Sequence, residues 1–445
     1  MGNYIIVPTN TDLNRGDQAL IWETINIFKE IDSQAEFLLI NSGETEEEKY
    51  LQSYQTKQRG HKFIDPLVNH PGRGEKEKNN QFYSKSQFLY WGIQAIKDLI
   101  PRLLLLSKNR LLNKIALKFL TDSFVNSYSQ FKRNDAIIFK GGGFIHSYGK
   151  TTDPYVMFYL LYYAMLAKKH NKPVIFMPNS FGPFKNPFAT WIIKKVLKNV
   201  EFISVREKFS KNSLEKLLGK EIPFYPDLGF FLEDNHQFNA KSFLEEKGIK
   251  FNGKNVGITV RPYRFDGHLN PIQAYENYIE AFIEFAKKLH EKGYSPIFIA
   301  QTMGPSVNED DNEAIKKIVS KMKNFEYKVI SEKSLNASQM KKIYGEMNFV
   351  VGTRFHSVIF SLSSKVPSLA VSYGGNKGKG IMTELGLEKY EIPIEDLNTS
   401  SLEKKFFMMV ENQKEYIEKI DFKIKEYSAL RKELILVLTK ILKVN

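Results

Sequence analysis

The chain has 445 residues, of which 42% are hydrophobic and 26% charged, so a disordered or fibrous chain is excluded and two or three domains with full cores are expected. Lys and Arg number 64 against 50 Asp and Glu, a net charge of +14 that favours an anionic partner: a phosphorylated metabolite, an acidic polymer, a membrane face or a nucleic acid. There is no cysteine, which rules out disulfides, thiolate metal sites and a cysteine nucleophile, and fits a reducing compartment.

The start, MGNYIIVPTN, lacks the basic and apolar regions of a signal peptide. The longest uncharged apolar run, Tyr155 to Ala167, is shorter than the roughly 20 residues that span a bilayer. A cytoplasmic protein, soluble or resting on a surface, is expected.

Taken in chain order, short apolar runs alternate with helical patterns. Tyr4–Val7 leads into NTDLNRGDQAL and a helix from about Gln18. Ala136–Phe139 precedes Lys140 and three glycines; Val174–Met177 precedes PNSFGPF; Phe202–Val205 precedes Arg206. Val256–Val260 precedes Arg261, Pro296–Ala300 precedes QTMG, Phe349–Val351 precedes GTRFHS, and Ser368–Val371 precedes SYGGNKGKG. Continuous apolar strands between helices predict parallel sheets covered on both faces. The polar stretch Glu233–Asn252 breaks the series. Two α/β domains facing across a cleft are therefore expected, over 1–235 and 252–400, with a helical segment 401–445 that packs back on the first.

Residues 71–120 hold ten Lys or Arg against three Asp or Glu, half of the chain's surplus. Within about 71–130 the pattern predicts a basic helical insertion, beginning with the loop PGRGEKEKNN. Its apolar face either packs on its own domain or lies on an anionic bilayer. No nucleic-acid motif accompanies the charge, so nucleic acid is not the expected partner.

In open parallel sheets, ligands bind at the carboxyl ends of the strands. Arg206, Arg261 and Arg354 fall there, and a guanidinium fork matches phosphate or carboxylate. In GTRFHSVIFSL, Arg354 and His356 occupy a strand-to-helix turn, where helix amides attract anions and a histidine can move a proton near neutral pH. The alternative for His356 is a local structural role. Lys377 and Lys379, among glycines in VSYGGNKGKG, form a loop able to close on a phosphate, or else an exposed turn. Asn14 and Asp17 sit at a helix start, where the dipole alone would account for the carboxylate. Gly142 and Gly143 admit close backbone approach without forming a phosphate-binding GK[ST] loop. Asn179 follows a strand, Asp227 reads as a cap, and Asp310–Asp311 reads as a solvated acidic loop. No metal-ligand cluster is visible, so no metal is expected.

The order NxGDxA, GGG, a GP turn, SVRE, PD, a strand ending in Arg, GTRFH and a glycine-rich lysine loop resembles the polysaccharide pyruvyl transferases. The resemblance implies a GT-B-like fold of two Rossmann-like domains with the site in the cleft. It implies transfer of a pyruvyl unit from phosphoenolpyruvate to sugar hydroxyls of capsule, exopolysaccharide or cell-wall polymers, forming a ketal and releasing phosphate, with no cofactor. By the family pattern His356 is the general acid/base. Arg206 and Arg354 hold the donor, with Lys377 or Lys379 on its phosphate and Arg261 beside them. Asn14, Asp17, Gly142, Gly143 and Asn179 fall to the acceptor or cleft. A lipid-linked acceptor would give residues 71–120 a purpose at the inner membrane face. A nucleotide-sugar glycosyltransferase on the same architecture and a non-catalytic scaffold of polysaccharide assembly are the alternatives.

Overall fold

The computed structural model describes residues 2–69, 85–251, 253–322, 325–374 and 377–444. It divides into two compact units: Met1–Asp12, Leu20–Asp227 and Leu430–Asn445 form the first, Leu13–Ala19 and Leu228–Ala429 the second.

The first unit is built on a parallel sheet of β1 (Asn3–Val7), β2 (Glu36–Ile40), β3 (Lys62–Ile64), β4 (Ala136–Phe139), β5 (Gly142–Ser147), β6 (Val174–Phe184) and β7 (Phe202–Val205). Its path is β3-β2-β1-β4-β6, and β5 and β7 both pair with β6. β5 continues β4 along the same neighbour, since Phe139 pairs with Phe176 and Gly142 with Asn179. Counting β4 and β5 as one, the order is 3-2-1-4-5-6, that of dinucleotide-binding sheets. Every residue of AIIF and FISV is buried, so AIIF is wholly apolar and the one polar residue of FISV, Ser204, turns its Oγ inward to donate to Phe176 O at 3.3 Å. Phe139 and Phe176 stack with ring centroids 4.0 Å apart inside this core.

The second unit repeats the order. Its strands β8 (Asn255–Thr259), β9 (Ser295–Ile299), β10 (Lys328–Ile330), β11 (Phe349–Gly352), β12 (Ser368–Ser372) and β13 (Glu391–Pro393) run β10-β9-β8-β11-β12-β13, all parallel. The strand order reverses between β8 and β11, which places a ligand crevice at their carboxyl ends.

The unit limits differ from the sequence expectation in three places. The second unit begins at Leu228, ahead of the polar stretch Glu233–Asn252, and Lys341 Nζ donates to Leu232 O at 2.6 Å and Lys342 Nζ to Phe238 O at 2.8 Å within it. Residues 13–19 also belong to the second unit, although the rest of their helix, Arg15–Ile31, belongs to the first. The segment 401–445 is divided. Helix Thr399–Glu411 lies in the second unit, and helix Gln413–Val444 gives its residues from Leu430 onward to the first. There Arg431 Nε donates to Glu23 Oε1 at 2.8 Å, and its Nη1 to Glu30 Oε2 at 3.1 Å.

Helices Lys85–Leu106, Arg110–Lys118 and Asp122–Arg133 occupy the expected insertion. The loop PGRGEKEKNN lies outside the described residues. Among the described residues, no helix is long and apolar enough to cross a membrane.

Candidate functional site

In the second unit the site grows from the end of β11. A Cβ on Gly352 would lie 2.6 Å from Val358 Cγ2 and 2.7 Å from Ser357 Oγ, so glycine alone lets the next helix, Phe355–Ser363, turn back this closely on its strand. Thr259, at the end of β8, fixes the turn. Its Oγ1 accepts from the amides of Thr353 (3.1 Å) and Arg354 (3.3 Å), and its carbonyl accepts from Thr353 Oγ1 at 3.0 Å.

Arg354 occupies the N-cap position in extended backbone without using its side chain as a cap. The guanidinium is held from the side. Nε donates to Asp311 Oδ1 at 2.7 Å and Nη2 to Glu309 O at 2.9 Å. Asp311 is fully buried, and its Oδ2 accepts from the amides of Gln301 (3.0 Å) and Thr302 (2.9 Å). Asp311 is therefore not the solvated loop residue that the acidic pair suggests. Only Asp310 caps a helix there, accepting from the Asn312 amide. Burial opposes the charge on Arg354, but Asp311, joined by Tyr373 and Glu309, outweighs it and raises the guanidinium above its ordinary value. Among the described residues Nη1 makes no hydrogen bond.

Arg261, just beyond β8, lays its guanidinium on the Tyr373 ring, 3.9 Å from the centroid. Desolvation raises the Glu309 carboxyl, while Arg354 and then Arg261 pull it down and Asp17 raises it. These groups therefore share one electrostatic neighbourhood.

His356 is half-buried against the 14–17 segment. A Cβ on Gly16 would lie 2.2 Å from His356 Nδ1 and 2.4 Å from Cγ, so the backbone at Gly16 is the wall against which the imidazole rests. That wall is itself anchored. Asn14 Oδ1 accepts from the amides of Gly16 (3.1 Å) and Asp17 (3.3 Å), Arg15 Nη2 donates to Lys333 O at 3.0 Å, and Gln18 Oε1 accepts from the Ala337 amide at 2.7 Å. Asn14 and Asp17 thus belong to the segment on whose Gly16 the His356 ring rests, and Asn14 is the helix cap. Gly16 escaped sequence reasoning, because a lone glycine in NRGDQAL gives no sign of what it touches.

The lysine segment is not a loop: a helix, Lys377–Glu384, begins at Lys377. Lys379 is exposed on it, and the Lys377 side chain lies outside the described residues.

The first unit holds a second cationic position. Arg206 follows β7 and is 1% exposed. Its Nη1 pairs with Asp227 Oδ2 at 2.5 Å and its Nε donates to Ser180 Oγ at 2.9 Å. Nη2 is buried with no hydrogen bond, 3.0 Å from where a Cβ on Gly143 would stand. Asn179 donates to Lys140 O (3.0 Å) and Met177 O (2.7 Å), leaving Oδ1 buried and unbonded beside Gly142. The parallel pairing of β5, β6 and β7 thus brings Gly142, Gly143, Asn179 and Arg206 together. The partner of Arg206 is Asp227; the adjacent Glu207 caps helix Lys208–Leu218, accepting from the Ser210 amide at 2.8 Å. Asp227, which directly precedes the short helical turn Leu228–Phe231, is thus also an ion-pair partner.

Among the described residues, no three His, Asp or Glu are grouped to hold a metal ion.

A sequence model of the polysaccharide pyruvyl transferases matches residues 14–375. The amylovoran biosynthesis protein AmsJ of Erwinia amylovora is 26% identical over 299 residues, 65% of this chain and 69% of that protein. Among solved structures, UDP-GlcNAc 2-epimerase from Neisseria meningitidis matches with a TM-score of 0.56 at 12% identity, over 99% of this chain and 100% of that one. UGT89C1 of Arabidopsis thaliana matches with a TM-score of 0.55 at 10% identity, again over 99% and 100%. At these identities the likeness is one of fold, two Rossmann-like domains of the GT-B type.

Proposed function

Since the chain belongs to the polysaccharide pyruvyl transferase family, we propose that it moves the pyruvyl group of phosphoenolpyruvate onto two hydroxyls of a cell-surface polysaccharide or its precursor. The products are a cyclic ketal and phosphate. The likeness to an amylovoran biosynthesis protein supports an exopolysaccharide product.

The observation that carries this reading is the turn after β11, where a guanidinium locked by Asp311 precedes His356 by two residues. Phosphoenolpyruvate is a small ester with a carboxylate and a phosphate, and it needs fixed cations. Arg354 and Arg261 serve as those cations, with Lys377 and Lys379 on the phosphate. Fixed cations also stabilise the charge on the departing phosphate.

The atoms balance as follows. The methylene carbon gains a proton and becomes the methyl group. The first acceptor oxygen bonds to the central carbon and loses its proton. The carbon–oxygen bond to phosphate then breaks, the second acceptor oxygen takes its place, and its proton leaves with the phosphate or to solvent. His356 is the general acid/base for the first transfer. Asn14 and Asp17, on the segment that backs it, meet the acceptor hydroxyls. Arg206, with its spare Nη2, is an anion seat on the first unit for the donor's carboxylate, while Asn179, whose free atom is the acceptor Oδ1, suits a sugar hydroxyl. This balance needs no redox cofactor.

Phosphate release from phosphoenolpyruvate, measured with a panel of sugar acceptors, tests the reading. Release that depends on an acceptor is expected, and His356→Ala should lower turnover by about 10²–10⁴ while keeping the fold. Consumption of a nucleotide sugar without phosphate release from phosphoenolpyruvate would overturn it.

A further inference from the structure

Helix Lys85–Leu106 carries two apolar faces. Leu99, Leu104, Leu105 and Leu106 pack on the core of the first unit. Leu89, Ile93, Ile96, Ile100 and Leu103 recur at spacings of four and three residues and so line up along the helix. They are 69, 46, 60, 55 and 48% exposed. At 1.5 Å per residue this stripe is about 21 Å long.

The stripe continues into a second feature. Leu99, Leu103 and Leu106 line an apolar cavity of about 940 Å³ whose wall also includes Phe188 and Trp191. Those two rings stack at 5.5 Å and are both exposed. Lys168, Lys172 and Lys195 line the same cavity. Along the insertion, Lys97, Lys108, Arg110, Lys114 and Lys118 are exposed. Residues 85–120 contain seven Lys or Arg and a single acidic residue, Asp98, which is paired with Arg102.

We propose that this face docks on an anionic lipid bilayer, with the Leu89–Leu103 stripe and the Phe188–Trp191 pair at the depth of the acyl chains and the lysines against the headgroups. Charge complementarity selects that occupant. A second copy would set cation against cation, whereas an anionic bilayer offers hydrocarbon for the stripe and negative charge for its flanks. The helix lies along the surface, since no described helix can cross it. The proposal stands apart from the pyruvyl reading, and its test uses no substrate.

The test is co-sedimentation of the full chain with vesicles of phosphatidylcholine alone and of phosphatidylcholine with phosphatidylglycerol. Binding is expected only to the anionic vesicles, weakening as salt is raised. Ile96→Glu with Ile100→Glu should lower binding at least about tenfold and leave the circular-dichroism melt unchanged, because both side chains are exposed. A blue shift of tryptophan fluorescence on binding should be largely lost in Trp191→Phe. The proposal fails if the chain does not sediment with anionic vesicles, or if the double variant binds as well as the parent. It also fails if the stripe instead mediates a concentration-dependent dimer, seen by light scattering, with no vesicle binding.

Discussion

A single missing methyl group sets the position of the proposed acid/base. With 2.2 Å between His356 Nδ1 and the place where a Cβ on Gly16 would stand, any side chain at residue 16 must push the imidazole aside. A misplacement of about 1 Å can cost about 10² in rate, so Gly16→Ala should reduce turnover on that order while the protein remains folded. Measured kcat for the variant, beside its thermal melt, checks this. On the first unit, Arg206→Lys keeps a cation against Asp227 but removes the spare planar nitrogen. The expected result is a raised KM for phosphoenolpyruvate with a smaller change in kcat, and steady-state kinetics separates the two. Arg206→Ala is the poorer probe, since it strands a fully buried Asp227.

Between elements, the bond from Arg354 to Asp311 fastens the turn after β11 to the segment that follows β9. Asp311→Asn leaves an acceptor for the two amides but no charge for a buried guanidinium, a loss of about 3–5 kcal/mol. Urea denaturation of the variant should show that loss, with activity failing before the fold does. This device could not be read from the sequence. An Asp–Asp pair in an acidic stretch has the composition of a solvated loop, and burial is a property of the packing. What could be read is instructive by contrast. AIIF, FISV and FVV announce themselves because strands covered on both faces are nearly continuous apolar runs. The short edge strands β3, β10 and β13 have three residues each, too few for any pattern. The strand Gly142–Ser147 gave no such signal, because its two leading glycines carry no side chain to show a pattern. Arg354 and His356 stood out because they are polar residues directly after an apolar strand; Gly16, which positions one of them, is remote in sequence and chemically silent.

The whole molecule carries an acid sensitivity in its first unit. Burial, reinforced by Lys29 and Arg59, lowers the His61 imidazole from its ordinary 6.5 to about 4. Burial, with Lys169, Lys172 and Lys132, lowers His170 to about 4, where its Nε2 lies 2.8 Å from Tyr128 Oη. The unfolded chain takes up these protons near pH 6.5, the folded chain only near pH 4. The stability they confer is therefore complete above the first value and lost as pH falls toward the second. Each kcal/mol lost lowers Tm by about 2–4 °C in a domain of this size. A lower melting midpoint near pH 5 than near pH 7.5 is expected, and His61→Gln with His170→Gln should narrow the gap. An unchanged gap would place the acid sensitivity elsewhere.

The partition of the chain constrains how such an enzyme can be reshuffled. Leu13–Ala19 belongs with strands encoded far downstream, so a gene fragment beginning at Leu228 would supply the whole second sheet and still leave one side of the His356 imidazole without its backing. Recombination that exchanges the C-terminal half for that of a cousin must bring a matching N-terminal heptapeptide along, or inherit an imidazole with nothing to lean on.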